Sequence, residues 1–273
     1  MAAAMHRAAH QLLEGGQIFS DPLAVAMVGG DPHEIAKEAA KHASRRAMRL
    51  FIAVRTRFAE DALAWAVRGG VRQLVVLGAG LDTYAYRSPF LDGLKIFEVD
   101  HPATQEWKRG RLAEAGIPIP SWLTFAPVDF ESETLEDGLG AAGFDLGGAT
   151  FFTCLGVVPY LTVTAVFGTL QFIGGLRGGA HVVFDYSDPP EVLAPEVREY
   201  YEKRAAHADS LHEPWVSTFD PPILHTKMKI LGFAEIEDLG PREIRARYFP
   251  GATGPGRDRG GHILRASSGS SAS

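Results

Sequence analysis

The sequence predicts an α/β protein: a doubly wound, mostly parallel sheet of seven strands, with an N-terminal helical cap and a lid insertion. Three observations carry this reading. From residue 73 onward, short apolar runs alternate with amphipathic stretches, the order that gives a parallel sheet with right-handed crossovers. The apolar run Gln73–Leu77 ends in Gly78-Ala79-Gly80 and turns amphipathic at Leu81, which reads as a buried strand, a tight turn and a helix start. Residues 1–70, by contrast, show helical periodicity alone.

The elements follow in order. Asp21-Pro22 and Asp31-Pro32 each read as a helix cap followed by proline at the first helical position. Between 44 and 69, Ala47, Leu50, Phe51, Val54, Phe58, Ala62 and Trp65 recur at three- and four-residue spacing, predicting one long amphipathic helix closed by Gly69-Gly70. Strands are expected at 73–77, 94–99, 122–127, 149–154 and 179–185, and helices at 81–88, 101–115, 131–141 and 162–175. The segment 187–217 is the expected lid and carries a polar helix at 191–208; a further helix is expected at 218–231. Phe233–Asp238 alternates by two and His262–Ala266 reads as a short last strand. The stretch Gly240–Gly261, rich in Gly, Pro and Arg, is expected to join them as a loop without a helix. The layout is thus a cap (1–70), a ligand-binding domain (71–266) and a disordered, Ser-rich tail (267–273).

The bulk properties narrow the function classes. A chain of 273 residues with formal charge −6 and no long Lys/Arg run argues against nucleic-acid or membrane-surface binding. No stretch approaches the ~18 uncharged apolar residues that span a bilayer. The first residues, with His6, Arg7 and His10, do not read as a signal peptide, so a cytoplasmic location is expected. The lone Cys154 excludes an intrachain disulfide, and the ten histidines show no metal-ligand spacing, so no metal is expected.

The glycine turn lets a ligand approach the backbone, because Gly78 and Gly80 have no Cβ in the way. The second strand ends at Asp100, placed to accept hydrogen bonds from two ribose hydroxyls. A dinucleotide turn wants a third glycine, and that position is Thr83; there is no Gly-Lys-Ser/Thr, and no basic residue follows the turn until Arg87. A nucleoside without phosphates fits better, and S-adenosylmethionine is the common one. The third strand ends at Asp129-Phe130, a polar group and a flat apolar neighbour for adenine.

Taken together, Phe19-Ser20-Asp21-Pro22-Leu23-Ala24, Arg55-Thr56-Arg57-Phe58, Leu77 to Arg87, Glu98-Val99-Asp100-His101-Pro102, Pro127-Val128-Asp129 and Leu155 to Leu161 resemble the leucine carboxyl methyltransferase-like family of class I S-adenosylmethionine-dependent methyltransferases, over roughly residues 17–265. The resemblance implies a Rossmann-like fold and S-adenosyl-L-methionine as cofactor. It implies that Arg55, with Arg57 as its competitor, meets the cofactor carboxylate, that Gly78, Ala79, Gly80, Asp100 and His101 hold the methionine and ribose, and that Asp129 and Phe130 meet the adenine. Many relatives carry an acid where this chain has Leu155, which puts any role for an acid there in doubt.

The expected reaction is O-methylation. A carboxylate acceptor is ionised near neutral pH and needs a positive partner but no base. A phenol or alcohol needs a base, for which His101 and His181 are candidates by location only. Tyr160, Tyr186 and Arg247 are the weak candidates for contact with the reacting groups, and the arginines from 242 to 259 read equally as a solvated loop or as a clamp for an anionic small molecule or peptide. A hydroxyl O-methyltransferase, a nicotinamide-dependent oxidoreductase and a non-catalytic cofactor-binding protein remain as alternatives, and the oligomeric state is unread.

Overall fold

Asp31-Pro32 opens a cap helix as expected, whereas Asp21-Pro22 lies in the loop before the helix that starts at Ala24, whose cap position is Leu23. Asp21 Oδ1 accepts the Leu23 amide at 3.1 Å and Asp31 Oδ1 accepts the His33 amide at 2.9 Å. The computed structural model describes residues 2–41, 45–89, 93–129, 133–210, 214–254 and 256–269. The chain packs as two units, 1–145 and 146–273, which contribute the seven strands of a mostly parallel sheet.

The first unit begins with helices α1 (Ala2–Leu13), α2 (Ala24–Val28), α3 (Pro32–Lys41) and α4 (Arg46–Arg68). Glu14, just after α1, takes Arg49 of α4 in a two-pronged bond of 2.8 and 2.6 Å. Ala8, Ala24 and Ile35 bury one side chain from each of the first three helices in a shared cluster. Strand β1 (Gln73–Leu77) follows, fully buried, then α5 (Tyr84–Arg87), β2 (Lys95–Asp100), α6 (Pro102–Glu114), β3 (Leu123–Pro127) and α7 (Leu135–Ala141). The strands run parallel in the order β3-β2-β1, and the register sets Leu77 beside Val99 and Asp100 beside Pro127. The helix expected at 81–88 shrinks to one turn, because Gly80 is left-handed (φ 45°) and Asp82 spends its side chain capping the Tyr84 amide at 2.8 Å.

The second unit contains β4 (Thr150–Cys154), α8 (Val163–Gly174), β5 (Ala180–Ser187), α9 (Pro195–Ser210), α10 (Pro221–Ile230), β6 (Phe233–Leu239), α11 (Pro241–Tyr248) and β7 (Gly261–Ser268). Their order is β4-β5-β7-β6; β4 and β5 are parallel, and β7 runs antiparallel to both of its neighbours. Two expectations change. The stretch expected to be a loop from Gly240 contains α11, with Pro241 as its first residue, Glu243 in its first turn and Arg245 and Arg247 in its last. Those are favourable helix-terminus placements that the Gly/Pro/Arg content masked. Strand β7 also reaches Ser268, taking in the first two residues of the expected tail, because Ser268 Oγ accepts the Ala180 amide at 2.9 Å. Among the described residues no helix is long and apolar enough to cross a membrane.

The last residue of α8 shows how closely the second unit packs. A Cβ on Gly174 would lie 2.1 Å from the Leu231 carbonyl oxygen, whereas Gly140, exposed within α7, has open space. Gly174→Ala should therefore lower stability by ~1–3 kcal/mol through forced backbone movement. Gly140→Ala should be neutral or gain up to ~1 kcal/mol by restricting the unfolded chain. Urea midpoints of the two variants check this; equal midpoints would show that the Gly174 contact is not close.

Candidate functional site

At the carboxyl end of β1 the chain turns through Gly78 (φ 62°) and Gly80 (φ 45°), both left-handed and so unfavourable for a side chain. The turn is held from behind. The Ala79 amide donates to Val99 O at 3.1 Å, and the Gly80 amide donates to Asp100 Oδ2 at 2.6 Å. Asp100 Oδ1 accepts the His101 amide at 2.8 Å. A carboxylate has about four lone-pair sites, so Asp100 can shape the turn and still accept hydroxyls. A Cβ on Gly80 would meet only the Gly78 carbonyl, at 3.9 Å, so the space before the turn is open.

The structure separates residues that the sequence left as alternatives. On α4, Arg55 is buried, while Arg57 points to solvent and pairs with Asp61 at 2.7 Å. Residues two apart on a helix lie about 200° apart around its axis, so one of them had to face away. His101 is exposed, and its Nδ1 accepts the Ala103 amide at 3.2 Å, capping α6. Asp129 is half-buried just past β3, and its amide donates to Glu133 Oε2 at 2.9 Å. Phe130 lies outside the described residues. In the second unit, Leu155 sits half-buried in the turn after β4, beside left-handed Gly156, whose amide donates to Asp185 Oδ1 at 2.6 Å.

A buried network that sequence reading missed supports the turn. Thr83, at the position where a dinucleotide turn would have glycine, is fully buried and donates to Asp21 Oδ2 at 2.7 Å. Arg87 donates from Nε to Thr83 Oγ1 at 2.9 Å and grips Glu60 with two bonds of 3.0 and 2.5 Å. Arg7 reaches the Leu81 carbonyl at 2.5 Å and lies 3.4 Å from Asp21. Thr83 is thus committed to the cap. Below Asp100 a second buried pair, Glu98 and Lys108, meets at 2.6 Å, and burial pushes the Glu98 carboxyl up to about 7.

The other candidates belong to the second unit. Tyr160 is exposed. Tyr186 is buried, donates to Asp238 Oδ2 at 2.5 Å and stacks on His262 at 4.8 Å. Burial, and then the Asp238 charge, push its phenol pKa up, so it stays protonated. Arg247 is exposed and pairs with Glu237 at 3.1 Å. The expected arginine clamp is largely committed inside the unit: Arg242 binds Asp258 at 2.6 Å, Arg245 binds the Ala252 carbonyl at 2.7 Å, and Arg259 lies 3.1 Å from Asp188. His181 lies at the amino end of β5, the wrong edge for ligands in open α/β sheets, and beside Phe151. Among the described residues no group of His, Cys, Asp and Glu could hold a metal ion.

At the opposite end of β5 stands a cluster that the sequence hid. His262 Nδ1 is 3.0 Å from Asp238 Oδ1, and its Nε2 is 3.2 Å from Asp188 Oδ2. Asp238 also accepts from Tyr186 and from His225 Nε2, the latter at 2.7 Å. Ionised carboxylates only accept, so both His262 nitrogens carry protons. Burial opposes that charge, but bonding to Asp238 and the charges of Asp238 and Asp188 outweigh it and raise the His262 pKa.

The profile of the leucine carboxyl methyltransferase family matches residues 1–174. The chain is 35% identical over 182 residues to "Putative S-adenosyl-L-methionine-dependent methyltransferase YktD" of Bacillus subtilis, covering 66% of this chain and 60% of that protein. It is 30% identical over 197 residues to a Mycobacterium avium protein of the same description, covering 72% and 61%. The chain therefore spans about three fifths of the length of these relatives. Among solved structures it is similar to a DUF574 family protein from Streptomyces avermitilis (TM-score 0.58, 16% identity, 97% of each chain). It is also similar to a possible exported protein from Bordetella parapertussis (TM-score 0.50, 12% identity, 98% and 95%). These likenesses show the fold, an α/β sheet of seven mostly parallel strands. The chain belongs to the leucine carboxyl methyltransferase family, whose cofactor is S-adenosyl-L-methionine.

The His262 cluster makes a pH prediction. With its folded pKa above the unfolded value of 6.5, His262 stabilises the fold fully below that value, and the contribution is lost as pH rises through the folded pKa. Urea unfolding should therefore show stability declining as pH rises above about 6.5, a decline that His262→Gln flattens. An identical slope in the variant would remove His262 as the cause.

Proposed function

We propose that this chain is an S-adenosyl-L-methionine-dependent O-methyltransferase whose acceptor oxygen belongs to a carboxylate. Residues of the turn would hold the cofactor, which would supply an electrophilic methyl group on a sulfonium and leave as S-adenosylhomocysteine. In this reading the amides of Gly78 to Gly80 and the buried Arg55 hold the methionine end, Asp100 accepts from the ribose hydroxyls, and Asp129 meets the adenine. The open space before Gly80 and the unused lone pairs of Asp100 fit that assignment.

The observation that carries the carboxylate is the closed state of the His262 cluster. Both imidazole nitrogens donate to carboxylates and Tyr186 is held protonated, so neither can take a proton from an alcohol. A carboxylate acceptor is already ionised and asks for none. The family's description as leucine carboxyl methyltransferases points the same way. Holding the acceptor in line can supply about 7–11 kcal/mol of the barrier, leaving alignment and exclusion of water as the protein's main tasks. A hydroxyl acceptor is the second reading, favoured by the half-exposed His225, which Asp238 could orient as a base.

Incubation with cofactor and matched panels of carboxylic acids, alcohols and phenols, followed by release of S-adenosylhomocysteine, separates these readings. The acids should support release, and His225→Gln should leave it unchanged. Turnover of phenols alone, abolished in that variant, would establish the second reading instead. Stabilisation in thermal melts by a nicotinamide dinucleotide and none by S-adenosylhomocysteine would sink both.

Asp100→Ala should weaken S-adenosylhomocysteine binding by ~1–3 kcal/mol, since it unpairs ligand hydroxyls and frees the Gly80 amide. Arg55→Ala should also weaken it, and the exposed Arg57→Ala should not. Calorimetry checks all three, and an effect confined to Arg57 would reverse the assignment.

A further inference from the structure

Helix α9 carries half-buried Tyr200, Tyr201 and Arg204 and buried Ala208 at one-turn spacing. The Arg204 guanidinium carbon lies 5.9 Å from the Tyr200 ring centre and 5.5 Å from that of Trp215, and Tyr201 and Trp215 lie 5.2 Å apart. Trp215 is held by its own segment. The Val216 amide donates to Pro159 O at 2.7 Å, Ser217 Oγ donates to Val158 O at 2.7 Å, and the Phe219 amide donates to Ser187 O at 3.0 Å. Pro159 follows β4 and Ser187 ends β5, so the segment is pinned at the carboxyl edge of these strands, where open α/β sheets bind ligands.

Three polar atoms of this cluster, Tyr200 Oη, Arg204 Nε and Trp215 Nε1, are buried with no hydrogen-bond partner among the described residues. Arg204 makes no ion pair among them either, in contrast to Arg198, Arg242, Arg245, Arg247, Arg259 and Arg265 of the same unit, each bound to a carbonyl or a carboxylate. A buried donor left unpaired costs about 1–3 kcal/mol, and aromatic packing needs neither the cation nor the indole N–H. All three groups donate, one is charged, and the walls are aromatic. What such a set lacks is an anionic acceptor with a flat or apolar body.

We propose that Tyr200, Arg204 and Trp215 form a binding site for the carboxylate of an organic acid, and that this site selects the acceptor. The second half of the proposal rests on the reading of the chain as a carboxylate methyltransferase; the first does not. The site makes Arg204 a specificity-determining residue and leaves the arginines of α11 and the loop after it outside the recognition of the acid.

Binding can be read without turnover by titrating benzoate, phenylacetate and octanoate into the protein, followed by tryptophan fluorescence and calorimetry, with benzamide as the neutral isostere. The acids should bind saturably and benzamide should not. Arg204→Gln should weaken the acids by about tenfold or more, as loss of a charge-assisted bond implies. Arg204→Lys should recover part of the loss, Tyr200→Phe should weaken binding by a smaller factor, and Trp215→Phe should remove the fluorescence change. Urea midpoints confirm that each variant is folded, and Tyr200→Phe, which deletes one hydroxyl, tests the site even where Arg204→Gln unfolds. No saturable binding of any of the three acids, or equal affinity in wild type, Arg204→Gln and Tyr200→Phe, overturns the site. Measuring S-adenosylhomocysteine release in parallel separates the two claims. Acid binding that depends on Arg204 without methylation of any acid keeps the site and removes its role in selecting the acceptor. Methylation of acids with KM unchanged in Arg204→Gln removes the site and keeps the carboxylate reading.

Discussion

Asp21 is a carboxylate with no exposed surface, and a charge withdrawn from water must be met by partners. Its partners come from elements far apart in the chain: the Leu23 amide, the Thr83 hydroxyl, and the guanidinium groups of Arg7 and Arg87 at 3.4 and 3.5 Å. Glu60 closes the set on Arg87, so two acids face two arginines and the buried group is formally neutral. Through these bonds the loop before α2, the helices α1 and α4, and the segment after the glycine turn become one object. The turn cannot shift without leaving Asp21 or Arg87 uncompensated, and removing one member of a buried pair costs far more than the pair itself contributes. The cap is thus part of the support of the turn.

The same economy of parts recurs at the ends of the strands. When a parallel ladder ends, the next backbone N–H has lost its partner and needs another. In the first unit the Gly80 amide finds Asp100, at the end of the neighbouring β2; in the second, the Gly156 amide finds Asp185, near the end of the neighbouring β5. Both glycines are left-handed, which turns the chain sharply off the strand and aims the amide sideways at the acid. A parallel register sets the carboxyl ends of adjacent strands side by side, so an acid at one strand end is well placed to stabilise the turn of its neighbour. Asp100 is a structural residue for that reason.

Local chemistry was legible in the sequence and distant chemistry was not. The strands were found within about two residues, because apolar runs bounded by Gly and Pro leave few alternatives. The glycine turn was legible as a motif, because the strand before it is a buried apolar run and both of its glycines are left-handed. Helix α11 was missed because its Gly, Pro and Arg content read as a loop, although Pro241 with Glu243 and the later arginines is a helix-start pattern. The networks were missed for a different reason. Thr83 and Asp21 are 62 residues apart, and His262 and Asp188 are 74 apart; no periodicity signals such a pair. His225 and His262 meet Asp238 only through the fold, 13 and 24 residues away along the chain.

Charge explains why an acidic site suits the proposed reaction. Asp82 and Asp100 flank the turn, and the whole chain is formally −6. Such surroundings disfavour phosphates and favour a ligand carrying a sulfonium. Transfer of its methyl group to a carboxylate then destroys one positive and one negative charge together. A reaction that loses charge is helped by removing water, because opposite charges attract more strongly in a low dielectric and neutral products need no solvation. The demands on the two ligands are therefore opposite in sign: the donor needs acids around it, while an anionic acceptor needs a cation that those acids do not neutralise. The first unit gathers its acids at the turn and commits Arg7 and Arg87 to Asp21 and Glu60. In the second unit the arginines around β6 and α11 are bound within the unit, and Arg204 is left facing aromatic rings.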